Sequence, residues 1–512
     1  MPRYREYSYE QARLLPVSLK QQIQPGTFEH CVHYLVDQEI DMKVFEDKYR
    51  NDETGAPAID PAILLKVVLL AYSRGILSSR GIAQCCEENV VFMALAADTR
   101  PHFTTIAEFI SSMGEQIIAV FRDVLTVCYT EGLIGKRMFA VDGCKISSNC
   151  AKEWSGTKKE LRKKAEKIEE SVRYLVKRHR EEDEASGEPR QREKEQRAIE
   201  NLQAKAKRIR SWLNENKEKI GAQGKEIQSN ITDNESAKMP SSHGVIQGYN
   251  AMATVDDKHQ VIVDAQAFGD GHEAKHLEAV VESVRQTFVA LDEKSDVYQQ
   301  VVLTADSGFH SEESVKNLLE LGIEAYVADR MFRQRDPRFA EQQKYKKKTT
   351  DRKRTSRARK YFRAEDFHFE EVSGRLLCPA DKAMKLRCGN FRVGSYWGSS
   401  YIAEAKNCAC CVLRARCIRK SATQARQVAK FEKGRGKTQR YTQRMIERFD
   451  SARGRFFYSR RMGTVEPVFA NIRNTLGMDR FTLRGRRKVD IQWKLFCLVH
   501  NIEKLSRYAT LN

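Results

Sequence analysis

No apolar stretch in this 512-residue chain reaches the ~18 residues that a membrane-crossing helix needs. The first residues, MPRYREYSYEQARLLP, also lack the apolar core of an export signal. Both absences lead to the expectation of a cytoplasmic protein whose thirteen cysteines are reduced thiols rather than disulfides. Acidic residues are in short supply: 69 Asp and Glu against 89 Lys and Arg leave a formal charge of +20 and a pI of about 9.3. Such an excess calls for a polyanionic partner, nucleic acid ahead of an anionic membrane. The length also excludes a single hydrophobic core and implies two or more domains.

The stretch VVLTADSGFHSEES, Val301 to Ser314, carries the most chemistry. Its apolar start reads as a buried strand, and the strand ends on Asp306. Ser311, with Glu313 and Ser314, then opens a helical pattern through Val315, Leu318 and Leu319. A carboxylate at the carboxyl end of a strand, before a helix, stands at the rim where α/β sheets place their ligands. By itself the same pattern also describes an aspartate capping a turn. A second strand, MFAVDGCKIS, sets Asp142 between Val141 and Gly143. A charge inside an apolar strand costs several kcal/mol unless it is paired or bound to a metal. Two such aspartates on one sheet fit a hard-cation site, with magnesium or manganese as the ion. Glu466, in SRRMGTVEPVFANIRNTLGM among Arg460, Arg461 and Arg473, is the third carboxylate expected there.

Around these motifs the chain divides by pattern. Residues 1–135 read as an all-helical domain: Asp60 and Pro61 start one helix, a turn with Gly75 follows, and a second helix starts at Ser78 or Ser79. This is the outline of a helix-turn-helix, with Arg80 and Gln84 as the residues expected to meet DNA, although two packed core helices share that outline. Thr104 or Thr105 is expected to start one long helix reaching about Glu131. Residues 136–334 read as a catalytic α/β sheet with a helical insertion at 155–232. Within the insertion, Leu161, Ala165, Ile168, Val172 and Leu175 form one seam. Ile199, Leu202, Ala206, Ile209, Leu213, Asn216 and Ile220 form another, which predicts an antiparallel hairpin. GVIQGYNAMATVDD and HQVIVDAQAFGD, joined by a turn at Asp256 to His259, read as a β-hairpin. A helix from about Glu273, the Asp306 strand and a last strand EAYVA complete the sheet.

Residues 335–445 form a basic, cysteine-rich insertion. Lys346, Lys347, Lys348, Arg352 and Arg354 belong to a tract whose one-sided charge suits phosphate contact without reading sequence. Cys408 and Cys411 have the two-residue spacing of a metal knuckle; with Cys378 and Cys417 they offer a structural zinc site, against the alternative of buried free thiols. Cys388 and Cys410 lie nearby. Residues 446–512 carry Glu466, FTLRGRRKVD and a closing helix expected to be amphipathic.

Taken in this order, the SSRGI segment, VDGCKIS, HGVIQGYN, TADSGFHSEES, EPVFANIRNTLG and FTLRGRRKV resemble the DDE transposases of bacterial insertion sequences. The resemblance implies a ribonuclease H-like mixed sheet beside an all-α N-terminal domain. It implies two divalent metals, Mg²⁺ or Mn²⁺, held by Asp142, Asp306 and Glu466. Tyr458, Arg461 and Arg473 match the family's accompanying tyrosine and basic residues, with one extra residue between Arg461 and Glu466 and arginine where lysine is usual. It further implies a homodimer on double-stranded DNA that cuts at element ends and joins them to a target. A nuclease of the same fold that does not join, and a DNA-binding repressor copy that does not cut, are the alternatives.

Overall fold

The computed structural model describes residues 18–49, 57–183, 189–221, 224–241, 244–291, 295–339, 361–370, 375–393, 396–420, 422–431 and 441–510. It forms two units, Met1–Asp329 with Met445–Asn512, and Arg330–Arg444.

In the first unit, helix formation begins where caps permit it. Asp60 accepts the Ala62 amide at 2.8 Å and Pro61 opens α1, Pro61–Ser73, which is buried continuously from Leu64 to Tyr72. Gly75 takes φ +69°, the left-handed turn that lets the chain reverse, and Ser78 accepts the Gly81 amide at 3.0 Å to start α2, Ser79–Glu88. The single long helix expected next is two helices, α3 (Phe103–Ser112) and α4 (Gln116–Thr130). Gly114, at φ +45°, breaks it, and the cap is His102 rather than either threonine.

The sheet follows from β1 (Met138–Ser147), β2 (Ala237–Ser241), β3 (Gly244–Asp256), β4 (Ile262–Phe268), β5 (Val302–Ala305) and β6 (Ala325–Val327). β3 lies antiparallel to β1, β2 and β4, whereas β5 is parallel to β1 and β6 to β5. An antiparallel hairpin on one side of a central strand and two parallel strands on the other make the ribonuclease H-like mixed sheet. Between β1 and β2 stand α5 (Lys158–Asp183) and α6 (Pro189–Glu215). They pack antiparallel, with Leu161, Ala165, Ile209, Trp212 and Leu213 in one buried cluster and Arg210 bonded to Glu169 at 2.9 Å. α6 stops at Glu215, so Asn216 and Ile220 fall outside its seam.

After β4 come a helical turn, Glu273–His276, and α7, Leu277–Ala290; after β5 comes α8, Glu312–Glu320. The closing pair is α11, Ala452–Ala470, and α12, Arg486–Tyr508. Expected to be amphipathic, α12 is instead buried without a break from Ile491 to Ile502. It is apolar toward two neighbours at once: Tyr72 of α1 meets Phe496 with ring centroids 5.0 Å apart, and Trp493 donates to the Met252 carbonyl of β3 at 2.8 Å.

The second unit holds an antiparallel five-stranded sheet that the sequence pattern did not announce. Its strands are β7 (His368–Glu370), β8 (Arg375–Leu377), β9 (Ala383–Val393), β10 (Tyr396–Ile402) and β11 (Gln427–Phe431). Two short helices, α9 (Ala405–Ala409) and α10 (Arg414–Cys417), sit between β10 and β11. Phe367, Leu376, Met384, Tyr401 and Val428 form its small core.

Candidate active site

The register of the sheet brings Asp142 and Asp306 to one level. Val141 of β1 pairs with Ala305 of β5, and each aspartate is the next residue along its strand. The chain turns sharply at Asp306, whose Oδ1 accepts the Gly308 amide at 2.7 Å. Ser311 then caps α8 by accepting the Ser314 amide at 3.1 Å. Asp142 accepts the Gly143 amide at 2.9 Å and meets Arg461 Nη2 of α11 at 3.0 Å. Arg461 is 6% exposed, donates also to the Val141 carbonyl at 3.2 Å, and keeps its Nε buried with no partner among the described residues.

Glu273, which the sequence pattern did not single out, joins these two acids. It heads the helical turn after β4, and its Oε1 lies 3.9 Å from Lys145 Nζ. It comes so near the Asp306 turn that a Cβ at Gly308 would collide with its carboxylate. Burial, and next the charge of Asp306, push Glu273 up to about 7; Lys145 opposes the rise and Asp142 adds to it. Burial raises Asp142 as well, against the pull of Arg461 and with Asp306 reinforcing it. Burial is the main cause of both shifts, and the like charges of the neighbouring acids add to it against Arg461 and Lys145. Beside it opens a cavity of about 400 Å³ lined by Gly143, Cys144, Lys145, Glu273 and Arg473, with Pro240 and Ser241. Burial raises the Cys144 thiol there, and the charge of Arg473 opposes the rise.

The other expected residues belong to other parts of the chain. Glu466 is exposed on α11 and is bonded to no described residue. It shares a helix flank with Arg473, two turns on, while Arg461 and Val465 face the sheet. Among the described residues no three His, Cys, Asp or Glu side chains already stand in metal-holding geometry. Tyr458 packs edge-on against Phe449 at 4.8 Å. Arg80 and Gln84 are exposed on α2, Arg80 over the Phe103 ring at 4.7 Å and Gln84 bonded to Glu88 at 3.0 Å. Lys346, Lys347, Lys348, Arg352 and Arg354 lie outside the described residues. The four cysteines expected to bind zinc belong to the second unit.

Three family models match the chain in succession. A Transposase domain (DUF772) covers residues 17–112, a Transposase DDE domain covers 223–378, and a second Transposase DDE domain covers 377–506. The chain belongs to the DDE transposases. No curated protein matches it. The first DDE match of the transposase contains Glu273 and Asp306, and the second contains Arg461, Glu466 and Arg473. DNA is the partner this family implies, and DDE domains use divalent metal ions. Among the described residues no helix of the transposase is long and apolar enough to cross a membrane.

The signal for Glu273 was present in the sequence. FGDGHEAKHLEAVV places an acid between the end of a strand and the start of a helix, as TADSGFHSEES does for Asp306. The intervening Gly-Asp-Gly separates the acid from the strand, and Glu273 was read only as the start of a helix.

Proposed function

We propose that the transposase cuts DNA at the ends of its insertion element and joins those ends to new DNA, as a homodimer on the DNA. Asp142, Asp306 and Glu466 are the assigned ligands of two Mg²⁺ or Mn²⁺ ions. The observation carrying this reading is the side-by-side placement of Asp142 and Asp306 on adjacent parallel strands, against a buried arginine with an unused donor. The residues fit such ions: carboxylate oxygens are the hard donors they take, and burial, with the like charge of Asp306 adding to it, raises both Asp142 and Glu273, a penalty that a cation would relieve. When bound, the ions supply the Lewis acidity that activates the attacking hydroxyl and stabilises the leaving 3′-oxygen.

The protein's own groups have separate tasks. Arg461 holds Asp142 in place through its Nη2. Arg473 and Lys145 line the adjoining cavity, where a DNA backbone would be neutralised. Tyr458 stands one turn before Arg461 on the same helix and is assigned to the strand being cut. Arg80 and Gln84, exposed on α2, are assigned to base edges in a major groove.

Asp142→Asn, Asp306→Asn and Glu466→Gln should each abolish metal-dependent cleavage of the element's terminal repeats while leaving end binding intact. Cleavage that persists at the wild-type rate in any one of them removes that residue from the site. Pre-cut ends supplied with a target plasmid distinguish joining from cutting alone. In the same full-length protein, Arg80→Ala with Gln84→Ala should weaken the preference for terminal repeats over random DNA. The expected size is about 1–3 kcal/mol for every base edge that either side chain reads. An unchanged preference would assign recognition to another surface.

A further inference from the structure

Six cysteines lie in the second unit, and the fold sorts them into two kinds. Cys378, Cys408, Cys411 and Cys417 line a single cavity of about 30 Å³, room for one small ion. Cys388 and Cys410 do not: both are exposed, and the Cys410 thiol donates to the Lys406 carbonyl at 3.3 Å. The four come from three separately fixed pieces of backbone. Cys378 follows β8 in a tight turn, with its amide donating to the Lys382 carbonyl at 3.0 Å and its carbonyl accepting from Asp381 at 2.8 Å. Asp381 takes φ +53°, the conformation that closes this turn. Cys408 belongs to α9, Cys411 follows it, and Cys417 ends α10. The Arg414 guanidinium ties this segment together, donating to the Cys408 carbonyl at 3.0 Å and the Thr423 carbonyl at 3.1 Å. The Arg414 amide bonds the Cys411 carbonyl at 3.0 Å.

We propose that Cys378, Cys408, Cys411 and Cys417 bind one structural zinc ion. Buried free thiols are common as small apolar fillers, but that role does not collect four of them around one space while leaving two neighbours in solvent. The thiols already influence one another: burial raises Cys417, and the charges of Cys408, Cys378 and Cys411 add to the rise. The sulfurs have not closed to coordinating geometry. A cysteine side chain has one rotor, and a change of rotamer is the movement that coordination would ask of the four thiols lining this cavity. The unit also has reason to need the ion. Its core is five buried side chains, with Cys378 and Cys417 packed at the edge, too little apolar burial to stabilise a small unit by itself. Binding releases the thiol protons to solvent as four thiolates replace the water around the ion, so the site should weaken as pH falls.

The full-length transposase, purified without chelator, should carry about one zinc per chain by elemental analysis. Cys408→Ser with Cys411→Ser should lose it, and Cys388→Ser with Cys410→Ser should retain it. Should the first variant fail to fold, cobalt substitution in the wild-type protein decides: four thiolates give intense thiolate-to-cobalt charge-transfer bands and tetrahedral visible bands. Folded wild-type protein that contains no zinc and takes up none on titration overturns the proposal. So does loss of zinc from the Cys388/Cys410 variant, or a cobalt spectrum without thiolate bands.

Discussion

Gly308 sets how close Glu273 comes to Asp306, because any side chain there would push the glutamate away. The result is an acid held at about 7 instead of 4.5, its surroundings favouring the protonated form. The sign follows: this carboxyl stabilises the folded state fully below the unfolded value, and that stabilisation is lost as pH rises through the folded value. A shift from 4.5 to about 7 corresponds to an upper bound of about 3 kcal/mol. Glu273→Gln should therefore raise the melting temperature at pH 8 and show little gain near pH 4.5, when measured without metal. A variant that is equally or less stable at pH 8 would mean that the glutamate is already neutralised in the folded protein. Legibility at this scale depended on cost. Asp142 stood out because it interrupts an apolar strand, where a charge must be accounted for, and Asp306 because it ends one before a helix. Glu273 stood in a polar loop, where a charge costs nothing until the fold buries it. Glu466 was legible as part of a motif, but which flank of α11 it occupies is decided by Arg461 and Val465 turning toward the sheet.

Among the elements, α12 shows most clearly what sequence periodicity can and cannot reveal. Its apolar residues predict a helix, yet polar residues on the remaining faces made it read as half-solvated, when those residues are bonded to the sheet. Asn501 accepts from the Ile262 amide and donates to the Ile262 carbonyl, both at 2.8 Å; Asp490 accepts from the Ala267 amide at 2.8 Å. β4 is the outer strand of the hairpin, and these side chains satisfy backbone groups that an edge strand would otherwise expose. Asn501→Ala should leave two buried backbone groups unpaired, a loss of roughly 2–5 kcal/mol. A lower denaturant midpoint with an unchanged slope would show it. A midpoint within error of wild type would mean that water replaces the amide and that α12 is held by apolar contact alone. The hairpin β3–β4 was readable because alternation and turn agree, and the split between α3 and α4 was missed because a lone glycine inside a helical pattern does not reveal its φ. The strands of the second unit were hidden because their apolar positions are not all inside: in AMKLRC only Met384 is buried, and Leu386 lies in solvent.

At the scale of the molecule, α12 serves the N-terminal helices and the sheet together. Tyr72 on one side and Met252 on the other contact side chains one turn apart, Phe496 and Trp493. The segment that the sequence closes with is thus the shared wall between the helices assigned to DNA reading and the strands carrying the acids. This bears on the life of the element that encodes the protein. A gene copy shortened before residue 486 would still spell out Arg80, Gln84, Asp142 and Asp306, yet its product would have no wall to fold against. Such copies should not yield stable competitors that occupy element ends and silence their intact relatives. A chain stopped at residue 485 should accumulate as aggregate or be degraded, and its co-expression should leave transposition by the full-length protein unchanged. A soluble truncated chain that lowers the transposition frequency would show that the N-terminal helices fold without α12. If the prediction holds, self-limitation of this element has to come from full-length protein, because genetic decay from the 3′ end removes the binder together with the enzyme.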